Sequence, residues 1–118
     1  MAYSITIATF NREAMLKRTL DAIIATTRRE AETEGVELLV VDNASTDGTA
    51  DLLRQYEADG KLRAWILKEN LGTDIGRNCF WEHTEGKDTI RIDDKVLPLC
   101  NGWLYSMKRI AYENHALV

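Results

Sequence analysis

The stretch that decides the fold runs from residue 36 to residue 49 and reads VELLVVDNASTDGT. Its first six residues, 36–41, are almost all apolar, which is typical of a strand covered on both faces of a parallel sheet. Asp42 follows this run directly. The residues after it are of the kinds that form turns and cap helices. The stretch therefore predicts a buried strand that ends in a carboxylate, a turn and the start of a helix.

Three further β-like runs lie outward from this stretch, at residues 3–8 (YSITIA), 63–67 (RAWIL) and 88–92 (DTIRI). Between them, apolar residues recur at helical spacing after Asn11, after Ser45 and Thr46, and after Thr73. We expect Asn11 to cap the first helix and Ser45 or Thr46 to cap the second. Alternating strands and helices predict an α/β fold, a Rossmann-like three-layer α/β/α arrangement with a mostly parallel sheet.

Composition limits the class of protein. The chain has 118 residues, of which 45% are hydrophobic, so residues 1–118 are expected to form a single domain with one core. The net charge of −4 argues against a nucleic-acid-binding protein, which normally carries a basic face. No apolar run is long enough to cross a bilayer, and no signal peptide is evident. Two cysteines without metal-ligand spacing indicate a reduced compartment, so we expect a cytoplasmic protein.

Polar residues follow each predicted strand, where ligands bind in open α/β sheets. A carboxylate such as Asp42 can accept a hydrogen bond from a ribose hydroxyl or from the imide N–H of uracil. Adjacent carboxylates after the fourth strand are costly unless they are paired or bind a cation. Each segment taken alone also fits a turn, a helix cap or an exposed acidic loop. The candidate residues are Thr9, Phe10, Asn11 and Arg12, then Asp42, then Asn70, Gly72 and Arg77, and finally Asp93 and Asp94.

The order of these segments resembles the family-2 glycosyltransferases of GT-A fold. The resemblance spans nearly the whole chain and lies in six segments that stand in the family's order: residues 9–12 (TFNR), 40–49 (VVDNASTDGT), 69–72 (ENLG), 76–78 (GRN), 92–94 (IDD), and Pro98 with 102–104 (GWL). Each segment alone is weak evidence for the family, but the joint order and spacing of the segments are fairly specific to it. The resemblance implies the nucleotide-sugar-binding half of an inverting enzyme that transfers a sugar from a donor, usually UDP-linked, to an acceptor glycan or other hydroxyl compound. It also implies a divalent metal, Mn or Mg.

The resemblance assigns roles to individual residues. Thr9 and Phe10 are expected against the base, Asp42 at the uracil or ribose, and Arg77 near the base or diphosphate. Asp93 is expected on the ribose side and Asp94 on the metal.

Two departures from the family leave alternatives open. Lys95 stands where the commoner Asp-x-Asp pattern has its second carboxylate. Its charge either abolishes metal binding or replaces the metal beside the diphosphate. Members of the family usually have further residues that carry the acceptor site and the catalytic base, so we interpret this chain as truncated. Glu82, Glu85 and Asp88 are interpreted as surface residues, and the base is not identified.

Three hypotheses follow from these departures. The first is a transferase. The second is a nucleotide-sugar-binding module without transferase activity, with a homo-oligomer covering its exposed edge. A receiver-like signalling domain with Asp42 as the phosphoacceptor is less well supported, because no acidic cluster follows the first strand.

Overall fold

A computed structural model describes residues 2–72, 84–86, 88–98, 100–104 and 106–107. Within these residues the chain forms a parallel sheet, and the order of its strands is β3-β2-β1-β4. The strands are β1 (Tyr3–Thr9), β2 (Val36–Asp42), β3 (Arg63–Ile66) and β4 (Asp88–Arg91). The predicted parallel α/β fold is confirmed, and every predicted strand is found with its ends displaced by at most one residue.

The described helices are α1 (Glu13–Thr26), α2 (Arg28–Thr33) and α3 (Thr49–Ala58). Residues 103, 104, 106 and 107 are also helical. The helix predicted after Thr73 lies outside the described residues. Among the described helices, none is long and apolar enough to cross a membrane.

The predicted helix caps are wrong. Arg12 is the N-cap of α1 and Gly48 that of α3, and neither cap makes a side-chain hydrogen bond to its helix. Asn11 instead bonds to Ser45 and Thr46 of the loop after β2, and Ser45 donates to Asp42. Cap residues and loop-forming residues are of the same types, because both use a short side-chain oxygen to accept a backbone N–H.

The core lies mainly on one face of the sheet. Alternate residues of β1 and β2 point to that face, where α1 and α3 cover them. The buried side chains there include Ile5, Ile7, Leu16, Leu20, Ile23, Leu38, Val40 and Leu53. A smaller cluster on the other face contains Leu39 and Val41 with Trp65 packed against them. The middle strands are therefore buried on both faces, which explains the apolar run at residues 38–41 of β2.

A polar network on the second face holds the segment before β4 against the sheet. Glu37 is buried and accepts hydrogen bonds from the Ser4 hydroxyl (2.6 Å) and the Gly86 N–H (3.2 Å). The Gly86 N–H also lies 2.7 Å from the Ser4 hydroxyl oxygen. A side chain at residue 86 would collide with the backbone of Ser4, so only glycine allows this approach. The network fixes where β4 enters the sheet.

The order of strands locates the crevice of the sheet. From β1 the chain adds β2 and then β3 on one side, whereas β4 lies on the other side of β1. The order therefore reverses between β1 and β4. In open α/β sheets ligands bind at such a switch point, outside the carboxyl ends of the strands. The residues that follow Thr9, Asp42 and Arg91 consequently form the candidate site.

Candidate functional site

The loops at the carboxyl ends of the strands form one continuous edge, which we call the rim. It consists of residues 10–12, 43–48, 67–72 and 92–98. Thr9 and Asp42 are register partners in neighbouring strands, and the Asn43 N–H donates to the Thr9 carbonyl at 2.9 Å. The Leu67 N–H donates to the Asp42 carbonyl at 2.9 Å. The sheet itself thus brings the ends of β1, β2 and β3 together.

Asp42 ends β2 in full burial, with 0% of its surface exposed. Its Oδ1 accepts hydrogen bonds from the Ser45 N–H at 3.2 Å and from the Ser45 hydroxyl. Its Oδ2 is buried and has no hydrogen-bond partner among the described residues. A buried carboxylate oxygen without a donor is costly, which is why such atoms in native proteins usually mark an ion, a water or a ligand.

Asn11 joins the first two loops of the rim. Its backbone N–H donates to the Ser45 hydroxyl oxygen at 2.8 Å, and its Oδ1 accepts the Thr46 N–H at 2.7 Å. Asn11 and Ala44 both have positive φ, at 50° and 65°. Non-glycine residues hold such a backbone only where surrounding contacts require it. The side chain of Asn11 therefore fixes the conformation of the loop that follows Asp42.

Asn43 joins the second and third loops of the rim. This buried amide donates from Nδ2 to the Asn70 side-chain oxygen (3.0 Å) and to the Gly72 carbonyl (3.2 Å), and its Oδ1 accepts the Leu71 N–H (2.9 Å). The Gly72 N–H in turn donates to the Asn70 side-chain oxygen at 2.9 Å. Asn70 and Gly72 are consequently fixed relative to the end of β2.

Asp94 joins the first and fourth loops. It is buried, and its Oδ2 accepts a hydrogen bond from the Thr9 hydroxyl at 2.9 Å and pairs with the Arg12 guanidinium at 3.5 Å. The Thr19 hydroxyl of α1 donates to the Asp94 carbonyl at 3.0 Å. Asp93, by contrast, is exposed. The two adjacent carboxylates thus have different surroundings.

The electrostatics of this pair follow from those surroundings. Burial raises the pKa of Asp94, and the hydrogen bond with Asp93 raises it further. The same hydrogen bond from Asp94, followed by the charge of Lys95, lowers the pKa of Asp93. Asp93 therefore loses its proton more readily than an ordinary aspartate, and Asp94 holds its proton more tightly.

Exposed apolar side chains mark the rim. Among the described residues, the large apolar side chains that are exposed belong to Phe10 (42%), Leu71 (39%) and Val96 (44%), and all three lie in rim loops. Phe10 is therefore not a core residue. Each of the three adds apolar surface to the edge of the sheet at which ligands bind in open α/β sheets.

The described candidates lie on or directly beneath this one edge of the sheet: Thr9, Phe10, Asn11, Arg12, Asp42, Asn70, Gly72, Asp93 and Asp94. Arg77 lies outside the described residues. Sequence reasoning missed three residues that hold the rim, namely Thr19, Asn43 and Ser45. The signal for Asn43 and Ser45 was their position directly after Asp42, in a segment that was interpreted only as a turn and a cap.

The carboxylates of the rim do not assemble a metal site by themselves. Among the described residues, no group of three or more His, Cys, Asp or Glu side chains is placed to hold a metal ion. Asp94, the predicted metal ligand, points one oxygen at Thr9 and Arg12. Asp93 is the exposed carboxylate beside it, and Lys95 is exposed next to both.

Comparisons with known proteins agree with this architecture. A model of the family described as "Glycosyl transferase family 2" matches residues 4–118. The uncharacterized glycosyltransferase YfnE of Bacillus subtilis (strain 168) is 31% identical over 97 residues, which are 82% of this chain and 24% of YfnE.

Two solved structures show the same fold. The structure of residues 1–349 of S. aureus TarS in complex with UDP is 24% identical, with a TM-score of 0.78 over 98% of this chain and 33% of that TarS 1–349 chain. The mannosyltransferase PcManGT of Pyrobaculum calidifontis, in complex with GDP-Man and Mn²⁺, is 25% identical, with a TM-score of 0.76 over 92% of this chain and 32% of that enzyme.

The chain spans only part of its relatives, between 14% and 31% of the length of the curated glycosyltransferases that it matches. The family match nevertheless covers nearly all of the residues present, and the parallel sheet has the Rossmann-like GT-A architecture of the two solved structures. The chain belongs to glycosyl transferase family 2.

Proposed function

We propose that residues 1–118 form a single domain that binds the donor of an inverting glycosyltransferase, a UDP-linked sugar, at the rim. The observation that carries this proposal is Asp42, whose Oδ2 is buried without a partner among the described residues at the carboxyl end of β2. The exposed ring of Phe10 lies on the neighbouring loop. A carboxylate acceptor and an aromatic face are the two groups that a uridine needs for hydrogen bonding and stacking.

Similar proteins support the class of donor. The structure of TarS contains UDP, and that of PcManGT contains GDP-Man with Mn²⁺. A second structure of TarS contains UDP-GlcNAc. We therefore assign a nucleoside-diphosphate sugar to this chain, with Thr9, Arg12 and Asn70 beside Phe10 and Asp42 at the donor side, and Arg77 as a further candidate contact from sequence.

The proposed reaction is a single displacement. An acceptor hydroxyl attacks the anomeric carbon while UDP departs with the bonding electrons, and the configuration at that carbon inverts. The leaving diphosphate gains negative charge, which Arg12 and Lys95 are placed to offset from the exposed part of the rim. An Mn or Mg ion would supply the same charge stabilisation. Asp94 is the ligand that the resemblance implies, and the exposed Asp93 beside it is a second carboxylate that would hold the ion.

The base that deprotonates the acceptor is not identified among the described residues. Asp88 begins β4 at the end of the sheet opposite the rim. Glu85 precedes β4, and its backbone N–H binds Glu37. Glu82 lies outside the described residues. Neither described carboxylate adjoins the donor site, so we expect the acceptor glycan or hydroxyl compound and the base to be held elsewhere in the working enzyme.

A second function is a donor-binding module without transferase activity. The absence of a candidate base among the described residues favours it. Under this proposal the chain binds UDP and transfers nothing by itself. We propose a cytoplasmic location for either form. The outer strands of the described sheet, β3 and β4, are a candidate contact between copies of the chain.

Calorimetric titration with UDP, with and without Mn²⁺, tests the proposal. We expect UDP to bind, and Asp42→Ala to weaken binding by about 1–3 kcal/mol because a hydrogen bond to a charged group is lost. Equal affinity with and without Mn²⁺ removes the metal from the proposal and leaves Lys95 in its place. Absence of UDP binding to the wild-type chain contradicts the proposed donor site.

A transfer assay with UDP-sugars and an added acceptor separates the two functions. The binding module predicts no turnover by this chain despite UDP binding. Sustained transfer by the same preparation contradicts the module and requires a base within these residues.

A further inference from the structure

The loop after β2 controls which atoms of Asp42 are available to a ligand. Both hydrogen bonds that the described residues donate to this carboxylate come from Ser45, one from its N–H and one from its hydroxyl, and both end on Oδ1. A carboxylate oxygen has two lone-pair directions, so these two donors saturate Oδ1. Oδ2 is left as the acceptor that remains open.

The direction of the Ser45 hydroxyl is itself fixed. A serine hydroxyl has one proton to donate and accepts through its oxygen. The Asn11 N–H donates to the Ser45 oxygen at 2.8 Å, so the hydroxyl proton is directed towards Asp42. Asn11 in turn is held by its Oδ1, which accepts the Thr46 N–H at 2.7 Å. Three residues from two loops thus set one orientation of the Asp42 carboxylate.

We infer that Ser45 is a positioning residue that makes Asp42 selective for a ligand with a single N–H donor, the imide of a uracil base. This inference rests on the proposed function and specifies its substrate class. A ribose diol presents two hydroxyls and is matched best by both oxygens of a carboxylate, but one oxygen is already saturated here. Cytosine presents a ring-nitrogen acceptor at the position where uracil presents its N–H, so the open oxygen of Asp42 repels it.

Affinities for UDP and CDP, measured by calorimetry on the wild-type chain and on Ser45 variants, test this inference. We expect the wild type to prefer UDP. In Ser45→Ala the carboxylate can rotate and offer either oxygen, so we expect the UDP affinity to fall about 10-fold, the effect of losing one charged hydrogen bond. The preference for UDP over CDP should fall by a similar factor, because CDP gains nothing from the orientation that is lost.

Conservative variants of Ser45 distinguish a positioning role from a merely structural one. Ser45→Thr keeps the hydroxyl and should restore the preference to within about threefold, whereas Ser45→Cys, a weaker donor of similar size, should lie between threonine and alanine. Thermal unfolding of each variant monitors the fold. If Ser45→Ala does not fold, the graded comparison of Ser, Thr and Cys carries the same information. Thr33→Ala removes a hydroxyl from the exposed side of α2, away from the rim, and is the matched control.

Each result has one meaning. A wild-type chain that binds no nucleotide contradicts the proposed function itself. A wild-type chain that binds UDP and CDP equally leaves donor binding intact and overturns the role of Ser45. The same holds if Ser45→Ala lowers both affinities by one factor, since a structural role weakens both ligands alike, or if it changes neither.

Discussion

The ends of β2 and β4 both bury an aspartate, yet they use it in opposite ways. Asp94 meets groups from other elements, the Thr9 hydroxyl at 2.9 Å and the Arg12 guanidinium at 3.5 Å. Among the described residues, only Ser45 of its own loop donates hydrogen bonds to the Asp42 carboxylate, and Oδ2 has no hydrogen-bond partner. The contacts of Asp94 stabilise the rim, whereas Asp42 keeps one oxygen available to accept a hydrogen bond from a ligand. The difference predicts that substitutions of Asp94 mainly lower stability and that substitutions of Asp42 mainly lower ligand affinity.

The largest expected change in stability is that of Asp94→Ala. The substitution leaves the buried Thr9 hydroxyl without its acceptor and removes the charge that pairs with Arg12. We expect the free energy of unfolding to fall by about 2–3 kcal/mol, as for the loss of a buried group that binds charged and polar partners. Urea denaturation followed by circular dichroism measures it.

The matched control is Asp93→Ala, which removes the exposed carboxylate of the same pair. It should lower the stability by less than about 1 kcal/mol, the usual range for an exposed charge. If the two alanine variants unfold at the same urea concentration, Asp94 does not hold the rim together.

The next effect concerns Asn43, which links the end of β2 to the third loop. Asn43→Asp keeps the oxygen that accepts the Leu71 N–H but places a second acceptor against the Asn70 and Gly72 oxygens. We expect a loss of about 1–2 kcal/mol in unfolding free energy from this repulsion and the two lost donors. Asn43→Ala is the comparison, because it removes the two donors and also the acceptor of the Leu71 N–H without adding a charge. A less stable Asn43→Ala would show that the bond from Leu71, and not the repulsion at Asn70 and Gly72, dominates at this position.

A smaller effect depends on pH. The pKa of Asp94 is raised in the folded chain, first by burial and then by the hydrogen bond with Asp93. A raised pKa means that the folded state binds the proton more tightly, so this group stabilises the fold at acidic pH and loses that contribution as the pH rises through the folded pKa. Asp93 acts in the opposite sense, because its pKa is lowered: its contribution is present above the unfolded pKa and is lost as the pH falls through the folded one.

Asp94→Asn removes the titration of Asp94 while it retains Asp93 and keeps a side-chain hydrogen-bond donor beside it. We expect this variant to be most destabilised relative to wild type at acidic pH and least at neutral pH, with a difference on the order of 1 kcal/mol. Carbon NMR of the carboxyl groups should show Asp94 protonating at higher pH than Asp93. The opposite order would contradict the burial assigned to the two carboxylates.

The strands could be predicted from sequence because their signal is local. The apolar run of β2 and the alternation in β1 record burial on particular faces of the sheet, and a displacement by one residue would turn each side chain to the other face. Asp42 was also predictable, since a carboxylate that follows an uninterrupted apolar run must lie at the end of a strand. The position of the candidate site followed from the rule for parallel sheets.

The partners of the loop residues could not be predicted in this way. Asn11 and Ser45 are 34 residues apart, and their hydrogen bond exists only because β1 and β2 are neighbours. Asparagine and serine are equally common as helix caps, so the local pattern predicted caps where the structure has contacts between loops. In the same way, the sequence shows two adjacent aspartates but not that Asp94 turns inward beneath Thr9 while Asp93 faces solvent.

Asp42→Asn is expected to cause the smallest change in stability. It tests directly whether the carboxylates of Asp42 and Asp94 have different roles. The amide keeps an oxygen for Ser45 and replaces a buried charge by a neutral group, so the free energy of unfolding should change by less than about 1 kcal/mol and can increase. The amide nitrogen then occupies the position of Oδ2 and presents a donor where a uracil imide also presents one. UDP affinity should therefore fall by about 10-fold or more although the fold is intact. Urea denaturation and UDP calorimetry on one preparation give both numbers. A variant that loses stability as severely as Asp94→Ala, or that binds UDP as tightly as wild type, would show that the buried oxygen of Asp42 is a structural group like that of Asp94.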